Sequence, residues 1–210
     1  MEELFEKAPV KKVYYQLALP VVFSMIISMV YNIADTYFVA KTGNTDLVAG
    51  ITVSSPLFMF MLAVGDIFGL GGSALISRLF GQKLYEESKH VSSFSFYGDI
   101  IFTIILIVLL LVFEAPIMHL LGANAQTYQY AAEFYRVLVI GSVFITLSLV
   151  PGNMIRTEGL AVKSMIATIS GTVLAIILDP IFLFGFKWGA AGVAFANILG
   201  YVLNTGLLIY

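Results

Sequence analysis

Cysteine is absent from all 210 residues, which removes disulfides, thiolate metal sites and thiol nucleophiles at one stroke. Charge is nearly as scarce. Asp, Glu, Lys and Arg make up 11% of the chain, the formal net charge is -2, and the few basic residues are dispersed, so there is no basic surface for nucleic acid. Histidine is limited to His90 and His119, about a loop apart and without ligand spacing, and both read as solvated or interfacial. Internal repeats and low-complexity tracts are missing, and no polar stretch is long enough to form a second, soluble domain. What remains is 60% hydrophobic, with a mean hydropathy of +0.95, the composition of an integral membrane protein.

Apolar runs fall at 17–40, 48–79, 94–113, 128–150, 165–186 and 188–210, divided by the polar clusters KTGNTD, GQKLYEESKH, EAPIMHLLGANAQ, RTEGLAVK and GFKWG. Six spans predict an all-α transmembrane bundle, one unit over residues 1–210. The first run, LALPVVFSMIISMVYNIADTYFVA, rises roughly 36 Å as a helix against a hydrocarbon core about 30 Å thick. It is too long for the h-region of a cleavable signal and is followed by a poor cleavage site, so residues 1–12 read as a short interfacial lead-in of mixed charge.

Lysine and arginine set the orientation, because positive loops are retained on the cytoplasmic side. With the N-terminus inside, that side holds Lys7, Lys11, Lys12, Arg78, Lys83, Lys89, Arg156 and Lys163, leaving Lys41 and Lys187 outside. The expectation is therefore a multi-pass protein of the cell membrane with a cytoplasmic N-terminus. Arg136 falls inside the fourth span, three residues after Glu133, where an i, i+3 pair would neutralise both.

Acids inside the spans carry the functional signal. An Asp at mid-depth costs about 2.5–3.5 kcal/mol on insertion scales and must face protein or water. Asp35 is five residues short of Ala40 and Asp179 eight residues before Lys187, so both lie in the outer half on separate helices. Pro180 follows Asp179 at once and predicts an interrupted or bent helix, whose freed carbonyls can join carboxylates in holding Na⁺ or a proton. Asn32, on the Asp35 face, and Asn197, in the last span, add neutral oxygens. Two acids close together in low dielectric cannot both stay ionised cheaply, so an ion-exchange site follows. The structural alternatives are an Asp held by neighbouring hydroxyls and an Asn that merely joins helices. Asp66, beside the glycine-rich GDIFGLGGSA, reads as a structural acid in a small-residue interface. Asp99, in the inner half of the third span, would line a vestibule or be solvated near its helix start. Neither has an evident partner at its depth.

These residues carry a resemblance. The ordered set of LALPVVFSMIISMVYNIADTYFVA, GLGGSALISRLFGQ, IRTEG, ILDPIFLFG and GAAGVAFANILG, running through nearly the whole chain, resembles the N-terminal half of a multidrug and toxic compound extrusion (MATE) transporter, most like its DinF-type branch. The resemblance implies one six-helix lobe of a twelve-helix fold whose two lobes face a central cleft, with the second lobe absent from this chain. It implies that Asp35 and Asp179 take the places of cation-coupling acids, and that Pro20 and Tyr31 match a bending, pocket-lining first helix. Three positions depart from the family pattern. Ala175 stands where Asn is common, Asn197 where several members have Thr, and Asn153 is displaced by one, after Gly152. The coupling ion, H⁺ or Na⁺, stays open.

The resulting expectation is not an enzyme but a cation-coupled antiporter that exports amphipathic, often cationic, drug-like molecules by alternating access. It needs no cofactor and no metal beyond Na⁺ at Asp35 and Asp179, with membrane lipid and a second six-helix lobe as its partners. Apolar residues such as Phe23, Met25, Met29 and Phe58 to Met61 could line a pocket for greasy cations, though most would face lipid or neighbouring helices. A lipid-linked oligosaccharide flippase would be expected to carry more Arg and Lys in its cleft, and Arg136 is the one basic residue within the spans. An intramembrane aspartyl protease would need a GxGD stretch where this chain has AVGD, with Ala63 in place of Gly. A purely structural membrane subunit would leave the acids dispensable. A chain ending at Tyr210 on its sixth span is expected to be truncated or to pair as a half-transporter.

Overall fold

The computed structural model describes residues 9–210. Among these, seven helices follow in order: α1 (Val10–Lys41), α2 (Thr45–Gly81), α3 (Tyr85–Val112), α4 (Glu114–Leu120), α5 (Tyr128–Thr157), α6 (Ala161–Pro180) and α7 (Gly189–Ile209), with a π-helical turn over Ile181–Gly185 between the last two. All except α4 are long and apolar enough to cross a membrane, and there is no strand among the described residues. The all-α six-span architecture is as expected. The lead-in differs: residues 1–8 lie outside the described residues, while Val10, Lys11 and Lys12 already belong to α1.

Hydropathy marks the hydrocarbon layer rather than the helix, so α1, α2, α3 and α5 overrun their apolar runs into the interface. The largest difference is in α3, which begins at Tyr85 rather than near 94. Glu86 and Glu87 in its first turn suit the positive end of the helix dipole, so the polar segment is helical too. Another difference is α4, formed within a stretch that reads only as a boundary. It is held to α5 by Arg136, whose Nε and Nη2 each donate to a Glu114 carboxylate oxygen at 2.8 Å. Arg136 is thus paired across 22 residues with Glu114 and not with Glu133, which accepts instead from Gln129 Nε2 at 3.2 Å. A planar guanidinium finds bidentate geometry there that an i, i+3 partner does not offer.

Helix ends follow local chemistry. Asn44 caps α2, its Oδ1 accepting from the N–H groups of Asp46 and Leu47 at 3.1 Å, and its Nδ2 donates to Tyr130 Oη at 3.0 Å, tying the α1–α2 turn to α5. The Gly of IRTEG, Gly159, has φ +82°, and the N–H of Leu160 reaches back to Ile155 O at 3.1 Å, a close that favours a residue without Cβ. The equivalent position after α2 is Lys83, with φ +61°.

The bundle is organised around α5, which is 67% buried over its apolar window against 11% for α1. Helix α5 packs on α2, α3 and α7, and α6 packs on α7, while α1 lies outermost with α6 as its main neighbour. Tyr135 anchors this centre, fully buried, with its hydroxyl donating to Leu110 O at 2.8 Å. The α6–α7 seam is closed backbone to backbone: a Cβ on Gly200 would stand 2.7 Å from Gly171 O. Helix α1 stays continuous through Pro20, and Ser24 Oγ donates to Pro20 O at 2.9 Å.

Candidate functional site

Because α1 lies on α6, the acid near the end of α1 comes within electrostatic reach of the acid near the end of α6. Asp35 is half-buried with its Oδ1 enclosed and unpartnered; Asp179 is fully buried, and neither of its oxygens has a hydrogen-bond partner among the described residues. Tyr31, one turn before Asp35, also buries an unpartnered hydroxyl, and it lies within electrostatic reach of Asp35, Asp179 and Tyr201 of α7. Four oxygens from two helices are therefore withheld from water without a donor among the described residues. In a bilayer that is affordable only if another species satisfies them.

The α-helical ladder fails beside this group for a local reason. Pro180 has no N–H to give Ile176 O, and the chain passes into a π-helical turn in which Phe186 N–H reaches Ile181 O at 2.9 Å. The interruption expected at Asp179–Pro180 is present. Aromatic rings pack at this turn, with Phe182 and Trp188 stacked at 5.1 Å.

A cavity of about 500 Å³ opens between α1, α2, α5, α6 and α7. Tyr31, Asn32, Asp35, Asn153 and Asn197 line it. Asp179 and Pro20 do not: both are buried, Asp179 behind the wall beside Asp35 and Pro20 within α1. Asn153 belongs to the far end of the cavity, four residues from the end of α5, and is not brought together with the acid pair.

That far end holds a second polar group. Arg156 lines it, donating from Nε to Ser164 Oγ at 3.0 Å and from Nη1 to Asn153 Oδ1 at 3.4 Å, with Asp66 near both Asn153 and Arg156. Asp66 therefore faces the cavity with Asn153 and Arg156 beside it, which corrects its reading as a structural acid held within a small-residue interface with no evident partner at its depth. The reason is tertiary: Gly65 and Gly69 let the α2 backbone close on α5, and that brings Asp66 to the α5 end. Asp99 is corrected too, being fully buried between α3 and α5 rather than in a vestibule or solvated. Counting 1.5 Å per residue from the α1–α2 turn, Asp35 and Asp66 differ by roughly 20 Å in depth. An aspartyl dyad needs its carboxyls about 3 Å apart, sharing a proton.

Sequence reasoning missed the α7 face. Asn197, Tyr201 and Asn204 line the cavity at i, i+4 and i+7, and Asn204 Oδ1 is buried without a partner among the described residues. Their helical spacing was the available signal. The same is true of Ser164, Thr168 and Thr172 on α6, one turn apart, leading up to Asp179. Among the described residues Arg156 is the basic residue that lines the cavity; Arg136 is outside it.

Comparison with known proteins matches residues 20–181 to the MatE family model. The chain is 33% identical over 199 residues to Multidrug export protein MepA of Staphylococcus saprophyticus, covering 95% of this chain and 44% of that protein. It is 34% identical over 198 residues to Multidrug export protein MepA of Staphylococcus aureus, with 94% and 44% covered. The chain thus spans less than half the length of these relatives. Among solved structures it is similar to a multidrug resistance MATE family transporter of the MOP superfamily in an outward-facing conformation, with TM-score 0.93, 28% identity, and 99% and 46% covered. It is also similar to MATE in the straight conformation, TM-score 0.92 over 99% of this chain and 46% of that one, and in the bent conformation, TM-score 0.88 over 95% and 44%, both at 28% identity.

Proposed function

Because this chain belongs to the MatE family, we propose that it forms one six-helix lobe of a cation-coupled antiporter that exports amphipathic, often cationic, small molecules by alternating access. The observation that carries the reading is the set of orphaned oxygens on Asp35, Asp179 and Tyr31. A proton or Na⁺ arriving between the half-buried Asp35 and the buried Asp179 removes a charge that nothing else in the site compensates. Asn32 and Asn197, on the cavity wall beside them, add neutral oxygens to the donor set. H⁺ or Na⁺ would be the transported ion here, exchanged for substrate.

Cation occupancy would act on α1. This helix has the least buried surface of the six, contains Pro20, and carries Tyr31, Asn32 and Asp35 on one stripe. A cation that binds one shape of α1 a few kcal/mol better than another shifts the population toward it, and the cavity changes with the helix. Substrate then leaves as the cation enters. Tyr31 and Asn153, at opposite ends of the cavity, are the substrate contacts, and Pro20 permits the bend.

Charge favours this reading over a flippase of the same superfamily. The cavity sets Asp66 within electrostatic reach of its one guanidinium, Arg156, and keeps Asp35 besides, so its balance suits a cation rather than a pyrophosphate. The second lobe is proposed because the cavity is walled by one bundle and the relatives are about twice as long. The N-terminus is proposed to be cytoplasmic on the lysine and arginine distribution, with the plasma membrane as the location.

Two measurements test the proposal. In vesicles containing the assembled transporter, an imposed H⁺ or Na⁺ gradient drives dye efflux; efflux indifferent to both gradients rejects the coupling. These 210 residues hold no cysteine, so Met59→Cys, at the exposed rim of the cavity, places a single crosslinking site on this lobe in native membranes. A crosslinked second lobe is expected, and a single six-helix lobe that transports alone rejects the two-lobe assembly.

A further inference from the structure

Helix α3 contributes nothing to the cavity wall, yet it carries a buried acid. Asp99 sits near the midpoint of α3, and its Oδ2 accepts a hydrogen bond from Thr146 Oγ1 of α5 at 3.0 Å. Its Oδ1 is buried with no partner among the described residues. Thr146 Oγ1 lies 3.1 Å from Thr103 Oγ1, one turn further along α3, and both threonines are fully buried. Packing around the trio is close: a Cβ on Gly65 of α2 would stand 2.8 Å from Thr146 Cα, and one on Gly98 would stand 3.1 Å from the Phe68 ring.

Among the described residues no counter-charge faces Asp99. From α2 the neighbours are Gly65 and Phe68, and the adjacent Asp66 lines the cleft instead. From α5 the polar neighbour is Thr146. Along α3 itself the other charged residues, Glu86, Glu87 and Lys89, are at the exposed start of the helix. An ionised carboxylate here would be an uncompensated charge in the membrane interior. A hard metal ion collects about six or more oxygens, and the hydrogen bonds of this packed interface gather fewer, those of Asp99, Thr146, Thr103 and the Val143 carbonyl. A proton needs one.

We propose that Asp99 is a proton-binding site separate from the Asp35 and Asp179 pair, and that its neutral carboxyl bridges α3 to α5. The carboxylate takes up one H⁺ on Oδ2, losing one negative charge, and the new O–H donates to Thr146 Oγ1. Thr146 in turn donates to Thr103 Oγ1 or to Val143 O, 3.4 Å away. The bridge stands directly behind the cleft, because α5 presents Thr146 to α3 and Ser148, Leu149 and Asn153 to the cavity. Proton occupancy at Asp99 thus fixes one wall of the cleft from outside it. The site stands whether or not the acid pair exchanges cations.

Infrared spectroscopy of the full chain in lipid vesicles, in H₂O and D₂O at neutral pH, tests this. A protonated-carboxyl C=O stretch is expected that is lost in Asp99→Asn and retained in the Asp35→Asn, Asp179→Asn double variant. Thr146→Val keeps the carboxyl but removes its partner, so the same stretch moves to higher frequency; this arm decides the matter if Asp99→Asn does not insert. Retention of every protonated-carboxyl band in Asp99→Asn, or no movement in Thr146→Val, overturns the proposal. Loss of the band on adding Na⁺ at constant pH also overturns it, in favour of a metal cation.

Discussion

Gly200→Ala tests whether the seam behind the cleft is as tight as its geometry says. The new Cβ would stand 2.7 Å from Gly171 O and 3.1 Å from Ala175 Cβ. Neither neighbour is the free end of a flexible side chain, so α6 and α7 must part by about 0.5 Å, a gap that forfeits about a quarter of the dispersion energy along the seam. Overpacking of this kind costs about 1–3 kcal/mol, and the gain of Ala over Gly in helix propensity returns up to about 1 kcal/mol. The net is a loss of up to about 2 kcal/mol, and against a control that gains the same propensity the difference is about 1–3 kcal/mol, roughly tenfold or more in the unfolding constant. Gly206, on the same helix with nothing within 4 Å of its added Cβ, provides the control. Gly206→Ala should be neutral or stabilising by up to about 1 kcal/mol. Reversible unfolding in mixed micelles, followed by circular dichroism, reads both variants. Equal stability of the two would refute close backbone packing at Gly171 and Gly200.

Tyr135→Phe removes the donor to Leu110 O from the centre of the bundle and should cost about 1 kcal/mol in the same unfolding assay. Lys83→Gly should stabilise by about 1 kcal/mol, because the position has φ +61° and a lysine there carries a left-handed strain that glycine does not; a raised melting temperature checks it. Pro180→Ala restores an N–H for Ile176 O and should let α6 run on through Ile181–Gly185. Efflux by the assembled transporter should fall about tenfold or more at unchanged membrane levels, since a misplacement of about 1 Å can cost about 100-fold.

The spans, the two acids and the break at Pro180 were legible because each has a one-dimensional cause: hydropathy, the cost of an intramembrane carboxylate, and a missing N–H. Asp35 and Asp179 could be matched in depth simply by counting residues to the nearest loop. What could not be read depended on which helices touch. Arg136 found Glu114 rather than Glu133 through the fold-back of α4, a helix whose seven residues are too few to leave a periodic signature. Asp66 acquired Arg156 and Asn153 through the α2–α5 contact, which glycines permit but do not announce. Asp99 was placed too near solvent because its helix starts earlier than its apolar run, which moves residue 99 to the middle of α3. Tyr201 and Asn204 share a face of α7 with Asn197, a spacing that places them together but does not by itself say which neighbour that face meets.

The central claim is that Asp35 and Asp179 act as one exchange unit, and acid-to-amide substitution in the assembled transporter tests it most directly. Cation-driven dye efflux is measured at matched membrane levels for Asp35→Asn, Asp179→Asn and the double variant. Removing a buried charge should ease membrane insertion, so a loss of efflux would not report misfolding. Each single variant should abolish efflux, and the double should be little worse than either, because groups that work as a unit are not additive. Normal efflux from either single variant would show that the carboxylates are structural and would contradict the account.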